Sequence, residues 1–405
     1  FKSGYGHLPY YSIQACLRQA NIRWEEIDLI VSPGSTYKDH SLRLRDYLTR
    51  KFGSCPKIEL IHHQMAHLVS AFFGSGFQES LVLSLDATGD GSCGMLAYAS
   101  KDKGIQVYEK IPTRNSIGFF YTLMTYYLGF VDGDEYKVMG LAPYGKANID
   151  LTKILKPTKE GWKFDNSFVR KSPIIKSPFE VLYSNKLEKL LGVPGRVPHE
   201  NLNTYHRNLA ASTQGTLEDC LLSSIKYLSS KRPDCKNLCY AGGVALNCSA
   251  NQKLYDAGMF KNFYVSPVSS DRGLALGCAY YGSDMLNDKP KPIWNCYLGS
   301  SYSSKNIKEE LESNNLKFKE VKDPALSAAQ LISKGKIIGW YQGRSEAGAR
   351  ALGNRSIVAA ASDKHMREKV NARIKYREEF RPFAPSVLFE DSEAYFTTNG
   401  RDLPF

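Results

Sequence analysis

The stretch LVLSLDATGDG, residues 81–91, is an apolar run that ends on a carboxylate and a tight turn. Its first five residues fit a buried strand, and Gly89, Asp90 and Gly91 favour turn geometry. GMLAYAS (94–100) and IQVYEKI (105–111) follow as two further short strands. Three consecutive strands joined by turns predict an antiparallel meander.

Working outward, helical and strand-like segments alternate. YYSIQACLRQANI (10–22) reads as a helix, IDLIVSPG (27–34) as a strand, and KIELIH (57–62) as a strand that runs into HHQMAH. Downstream, residues 208–230 form the longest amphipathic run. NLCYAGGVALN (237–247) reads as strand, glycine turn and helix start, and residues 262–286 as strand, loop and a Gly/Ala-rich helix. A meander followed by strand–helix units is the pattern of one actin/RNase-H-like lobe. A polar, Lys- and Ser-rich segment at 299–325 marks a boundary, after which ALSAAQLISKGKIIGWYQG predicts a helix and then a strand. The expected division is a first domain over 1–295, a linker and the start of the second domain over 296–325, and a second domain over 326–405.

At 405 residues and 42% hydrophobic, the chain is long enough for two or three cored domains. No apolar run reaches the roughly 18 residues of a membrane span, so no membrane partner is expected. Nine cysteines form an odd set without a C-x-x-C pair, which predicts free thiols in a reducing, cytoplasmic compartment. The net charge of +12 is uneven: residues 334–381 hold twelve Lys/Arg against five acids. Such a cluster suits phosphate-bearing ligands or nucleic acid, and equally a solvated basic face.

Five constellations carry chemistry. His63 and His67, four apart, share one face of a helix, which suits two ligands of one ion or a plain polar face. Position 64 is Gln, so the Glu of the H-E-x-x-H peptidase pattern is missing. Asp86 ends an apolar strand, as a cleft-facing carboxylate or a solvated turn. Gly242 and Gly243 stand between strand and helix, where backbone N–H groups can approach a phosphate. Asp271 follows another apolar strand, as a ligand or a helix N-cap. In residues 343–385, Arg344, Arg350, Arg355, Lys375 and Arg381 are interleaved with glycines, and guanidinium groups clamp phosphate and carboxylate oxygens in two-pronged fashion.

Taken together, HHQMAH, LSLDATGDG, EYKVMGLAPYG (135–145), YAGGVALNCSAN (240–251), SPVSSDRGLALG (266–277) and GRSEAGARALGNRS with NARIKYREEFRPFAP resemble the O-carbamoyltransferase family of nodulation-factor and antibiotic biosynthesis, which includes the tobramycin-type enzymes. The resemblance implies an α/β fold: an actin/RNase-H-like (ASKHA) metal- and nucleotide-binding domain like that of the threonylcarbamoyl-transfer proteins, then a partial YrdC-like domain. It implies His63, His67, Asp86 and Asp271 as metal ligands, and Gly242, Gly243 and Asn247, with Gly89, at the nucleotide. Arg350 and Lys375 are implied at a carbamoyl-adenylate site, with Arg344 and Arg381 as neighbours. The implied cofactors are Fe(II) or a similar divalent metal and ATP, with Mg(II) beside the ATP; carbamoyl phosphate is the co-substrate.

The implied activity is ATP-dependent transfer of a carbamoyl group, through carbamoyl-adenylate, to a hydroxyl of a small natural-product or sugar acceptor. Two other functions fit fewer features: a tRNA threonylcarbamoyladenosine-type transferase, and a metal- and nucleotide-binding module without turnover. The Gly-Arg block at 343–385 favours the first reading, because tRNA enzymes of this kind generally lack it in the same chain. Nucleic acid is therefore not an expected partner, and a homodimer is a candidate assembly. Family members begin with a further strand bearing a histidine and continue past the equivalent of Phe405 with more basic residues. They also often carry Pro where Ala349 stands. On this reading the 405 residues are a fragment or a reduced member.

Overall fold

The computed structural model describes residues 9–170, 182–293 and 295–398. The chain divides into two compact units, Phe1–Ile293 and Trp294–Phe405. The first unit opens with helix α1 (Tyr10–Ala20), strand β1 (Leu29–Pro33), helix α2 (His40–Phe52) and strand β2 (Lys57–Ile61). β1 and β2 pair in parallel, with Leu29 opposite Lys57 and Pro33 opposite Ile61. Trp24, stacked on Phe52 with ring centroids 4.1 Å apart, closes a small core with Leu44 and Leu48 beneath this pair.

Helix α3 (His63–Ser75) then leads into the meander β3 (Glu79–Gly89), β4 (Ser92–Ser100) and β5 (Gly104–Pro112). Helices α4 (Ile117–Tyr127) and α5 (Glu135–Leu141), a hairpin of β6 (Leu155–Thr158) and β7 (Gly161–Phe164), helix α6 (Asn185–Leu191) and the long α7 (Thr204–Lys231) follow. The strand–helix units are β8 (Asn237–Ala241) with α8 (Cys248–Asp256), and β9 (Asn262–Val265) with α9 (Leu274–Met285). The main sheet has the order β5-β4-β3-β8-β9. Its first three strands are antiparallel, while β8 and β9 run parallel to β3 and to each other. The meander and both strand–helix units read from the sequence are therefore one sheet, and the class is mixed α/β.

Position in the sheet explains the strand compositions. β4 is buried along its whole length and reads as a continuous apolar run, whereas β5, at the edge, is mostly solvent-facing. Leu68, Ala71 and Phe72 of α3 pack on Val82, Met95, Ala97 and Cys239 of the sheet. Each large apolar side chain buried this way contributes about 1.5–3 kcal/mol. The nine cysteines are unpaired. Among the described residues, no helix is long and apolar enough to cross a membrane.

Two features shape the carboxyl ends of the parallel strands. The β3–β4 ladder lapses between the pairs Leu85/Gly94 and Gly89/Ser92, so Asp86 leaves the pairing at a bulge. Beside it, Gly242 adopts φ +92°, and its N–H donates to the Ser269 carbonyl at 2.7 Å. A Cβ on Gly242 would overlap the Leu85 backbone, so only glycine lets the β8 loop lie against the end of β3.

The second unit contains α10 (Ser304–Ser313), α11 (Pro324–Ser333), an antiparallel pair β10 (Ile338–Tyr341) and β11 (Arg355–Val358), and α12 (Met366–Val370). α12 continues into a π-helical turn, Asn371–Lys375, ended by Tyr376 at φ +47°. The Gly-Arg loop is organised by Glu346. Its Oε1 accepts the N–H groups of Leu352, Asn354 and Arg355 at 2.9, 2.7 and 3.1 Å. Burial works to raise the Glu346 pKa, but these donors outweigh it and hold the carboxyl below its usual value.

Gly242→Ala is expected to cost about 3 kcal/mol or more, through positive-φ strain plus overlap with the Leu85 backbone, measured by urea unfolding. Glu346 makes stability depend on acid. Its folded pKa is depressed, so the contribution is complete above the unfolded value and is lost as pH falls through the folded one. Glu346→Gln is expected to destabilise the second unit by about 1 kcal/mol or less at neutral pH, because solvent around the loop screens part of the effect. That gap to the unmodified protein closes below about pH 4. Unfolding midpoints measured from pH 7 down to pH 3 for both proteins check this.

Candidate functional site

The carboxyl end of the parallel strands is where open α/β sheets present their ligand sites. Four side chains converge there. His63 and His67 extend from the first two turns of α3, Asp86 from the bulge of β3, and Asp271 from the short turn between β9 and α9. One ligand atom from each lies within 4.8 Å of the others, and among the described residues this is the one cluster of its kind. The two imidazole Nε2 atoms are 3.2 Å apart. Asp86 Oδ2 stands 3.6 Å from His63 Nε2 and 3.2 Å from His67 Nε2; Asp271 Oδ1 stands 3.4 and 3.6 Å from the same atoms.

The donor set fits a divalent ion. Donors about 2.0–2.2 Å from one metal in tetrahedral geometry stand about 3.3–3.6 Å apart, and the five separations above, 3.2–3.6 Å, fall around that range. Two imidazoles and two carboxylates make a mixed N/O set suited to Fe(II), Zn(II) or a similar ion. His67 is fully buried, His63 and Asp86 are half-buried, and the Asp271 side chain is 68% exposed, which leaves that side open. Electrostatics agree. Burial lowers the pKa of both histidines, but hydrogen bonds and charge from Asp271 and Asp86 outweigh it, pushing His63 up to about 9 and His67 upward as well. Against their own burial, the two histidines hold both carboxyls below the usual range. Two carboxylates in this setting demand positive charge, supplied by protons or by a cation that displaces them.

Local sequence explains the arrangement. Asp271 lies in a three-residue turn before α9 and makes no capping hydrogen bond; its carboxylate faces the histidines, so the N-cap alternative does not hold. Gly89 sits beneath the His63 ring, which a Cβ there would overlap. Gly89 therefore leaves room for the His63 ring. His62 is the N-cap of α3: its Nδ1 accepts the Gln64 N–H at 3.1 Å, so Nε2 carries the proton, 3.1 Å from the Asp90 carbonyl. Both ring nitrogens are engaged, and burial lowers the pKa.

The β8 loop borders the cluster. A Cβ on Gly243 would stand 2.8 Å from Asp86 Oδ1, so this glycine leaves the carboxylate uncrowded. The side chain of Asn247 is turned inward. Its Oδ1 accepts from Ala250 N–H, capping α8, and from Gln214 Nε2, while its Nδ2 donates to Gln214 Oε1. Gln214 also accepts from the Tyr121 hydroxyl and donates to Glu218. Glu135 accepts from Thr122, and Lys137 pairs with Asp134 at 2.9 Å.

In the second unit the four basic residues differ in their partners and exposure. Arg344 spends its guanidinium on the carbonyls of Gly299 and Leu298, at 2.9 and 2.6 Å. Arg381 pairs with Glu378 at 3.7 Å. Arg350 and Lys375 are exposed, Arg350 on the Gly-Arg loop and Lys375 at the end of the π-helical turn. Two residues outside the sequence-derived set organise the first unit: Gln214, and Asp90, which appeared only as a turn residue. Asp90 takes donors from 27 to 56 residues away, and Gln214 reaches Asn247, 33 residues away, and Tyr121, 93 residues away, so no local pattern marks them.

Residues 11–280 match the family model of the carbamoyltransferase N-terminus, and residues 329–405 that of the carbamoyltransferase C-terminus. Nodulation protein NolNO of Sinorhizobium fredii is 34% identical over 98% of this chain and 61% of its own length. Nodulation protein NolO of Bradyrhizobium diazoefficiens is 35% identical over 85% of this chain and 62% of its own length. The 3'-hydroxymethylcephem-O-carbamoyltransferase of Streptomyces clavuligerus is 33% identical over 42% of this chain and 32% of its own length. The chain thus spans about three-fifths of the two nodulation proteins. With both of its segments matched, the chain belongs to the carbamoyltransferase family.

Proposed function

We propose that this chain takes part in ATP-dependent O-carbamoyl transfer to a small-molecule alcohol, with an ASKHA-type first unit and a YrdC-like second unit. The observation that carries the reading is the cluster of His63, His67, Asp86 and Asp271 at the carboxyl ends of parallel strands. In this scheme carbamoyl phosphate loses its phosphate to water. The resulting carbamate oxygen attacks the α-phosphorus of ATP, and pyrophosphate leaves. The acceptor hydroxyl then attacks the carbamoyl carbon, the bond to AMP breaks, and the hydroxyl proton is lost. A bound divalent ion supplies Lewis acidity for the carbonyl or the nucleotide phosphates.

The chain's own residues have separate tasks. Arg350 and Lys375, exposed in the second unit, neutralise charge on phosphate and adenylate. Arg344, through its two carbonyl contacts, shapes the loop that carries Arg350, and Arg381 lines the same basic segment. The loop of Gly242 and Gly243 lets a nucleotide approach Asp86 without Cβ hindrance; Asn247 holds that loop through Gln214 and the α8 cap. A small-molecule acceptor agrees with the hydroxymethylcephem named for the Streptomyces relative.

Protein prepared anaerobically with iron is expected to hold about one Fe(II) per chain, and His63→Ala or Asp271→Ala to lose it. Absence of stoichiometric metal in the unmodified protein would refute the cluster's assignment. Arg350→Ala and Lys375→Ala are each expected to lower ATP–pyrophosphate exchange dependent on carbamoyl phosphate by about 100-fold or more. Exchange at the original rate in both variants would refute the adenylate assignment.

A further inference from the structure

Asp90 is 5% exposed and sits at φ +51° in the turn between β3 and β4. Its contacts reach two separate parts of the first unit. Oδ2 accepts the His63 N–H at 2.8 Å and the Gly34 N–H at 3.2 Å, with the Ser35 hydroxyl at 3.5 Å. Oδ1 accepts the Thr36 hydroxyl at 3.0 Å. The backbone carbonyl of the same residue accepts from His62 Nε2–H. Asp90 therefore takes a donor from each member of the His62–His63 pair, and ties the loop after β1 to the same point.

The location of His63 gives this arrangement its consequence. His63 is the first residue of α3, where backbone N–H groups have no partner inside the helix and the first turn frays. His67, one turn further in, is fixed by burial. A ligand pair with one member on a fraying turn holds its spacing only if that turn is anchored. Asp90 anchors it with a buried carboxylate on the positive end of the helix dipole. Gly89, directly before it, provides the space into which the His63 ring drops.

We propose that Asp90 is the positioning residue of the metal centre, fixing His63 at the distance from His67 that ion binding requires. The inference rests on the metal reading above and adds a residue that does not touch the ion. Asp90→Asn is the suitable change, because Asn tolerates positive φ and keeps the volume while losing the charge and one acceptor. Thr36→Val removes only the loop's hydroxyl contact to Oδ1 and leaves the Gly34 N–H and Ser35 contacts to Oδ2.

Co(II), whose visible absorption reports its ligand geometry, is titrated anaerobically into the full chain and both variants, with urea midpoints measured alongside. D90N is expected to bind Co(II) about 10–100-fold more weakly, with an altered absorption band, and Thr36→Val to retain the original affinity and band. Unchanged affinity and band in D90N would overturn the positioning role while leaving the metal reading intact. Equal losses in both variants would also overturn it, since the loss would then follow the loop. No binding by the unmodified chain would overturn the metal reading together with this inference. Should D90N not fold, Asp90→Glu makes the same test, since one added methylene displaces the carboxylate from the His63 N–H; original affinity there overturns the proposal.

Discussion

The lapse in the β3–β4 ladder after Leu85 is the constraint on which the rest of the site depends. Had the pairing continued in register, Asp86 would lie opposite Cys93 within the ladder, and the chain would begin its turn two residues earlier, after Ala87. The bulge instead brings Asp86 out directly after the buried run Ser80–Leu85 and sets Gly89 and Asp90 under the start of α3. Next to it, parallel pairing of β3, β8 and β9 brings two more loops to the same edge. Asp271 enters by that route, on a turn joined through the neighbouring Ser269 to Gly242.

Much of this was legible in the sequence, for reasons that are local. Strand and helix periodicity gave the meander and the strand–helix units, because burial on both faces of β4 and on one stripe of a helix leaves a direct trace in composition. HxxxH spacing put two rings on one face, and apolar runs ending in Asp86 and Asp271 marked strand ends. What spacing could not show was the partner of each group. Asp271 in isolation reads equally as a cap, and only the return of β9 to the sheet aims it at His63. Asp90 looked like an ordinary turn residue because its donors come from Gly34, Thr36 and His63, all distant in sequence. Asn247 reads as a loop residue open to ligand until Gln214 on α7 is seen to occupy its amide.

The basic segment teaches the converse. Arg344, Arg350 and Arg355 have the same chemistry and close spacing, so charge counting treats them alike. Arg344 fills carbonyl acceptors, and Arg355 reaches the carbonyls of Gln342, Asn354 and Gly343 while stacking on Tyr341 at 3.5 Å. Guanidinium groups used this way act as internal struts in a loop too short to have a core. Glu346 acts likewise with opposite sign, gathering three N–H groups that would otherwise lack acceptors. A loop rich in charge can thus be chiefly self-supporting, with Arg350 exposed on it.

The uneven exposure of the four cluster residues bears on how quickly an ion would come and go. Three donors belong to buried or half-buried positions on α3 and β3, while Asp271 sits on an exposed turn. An ion held there would be gripped firmly on one side and loosely on the other, and would exchange with solvent past Asp271 without unfolding of the sheet. Release would be governed by the breaking of its bonds to the four donors, and the sheet would stay folded throughout. Loading would then be a step that follows folding and leaves the scaffold unchanged.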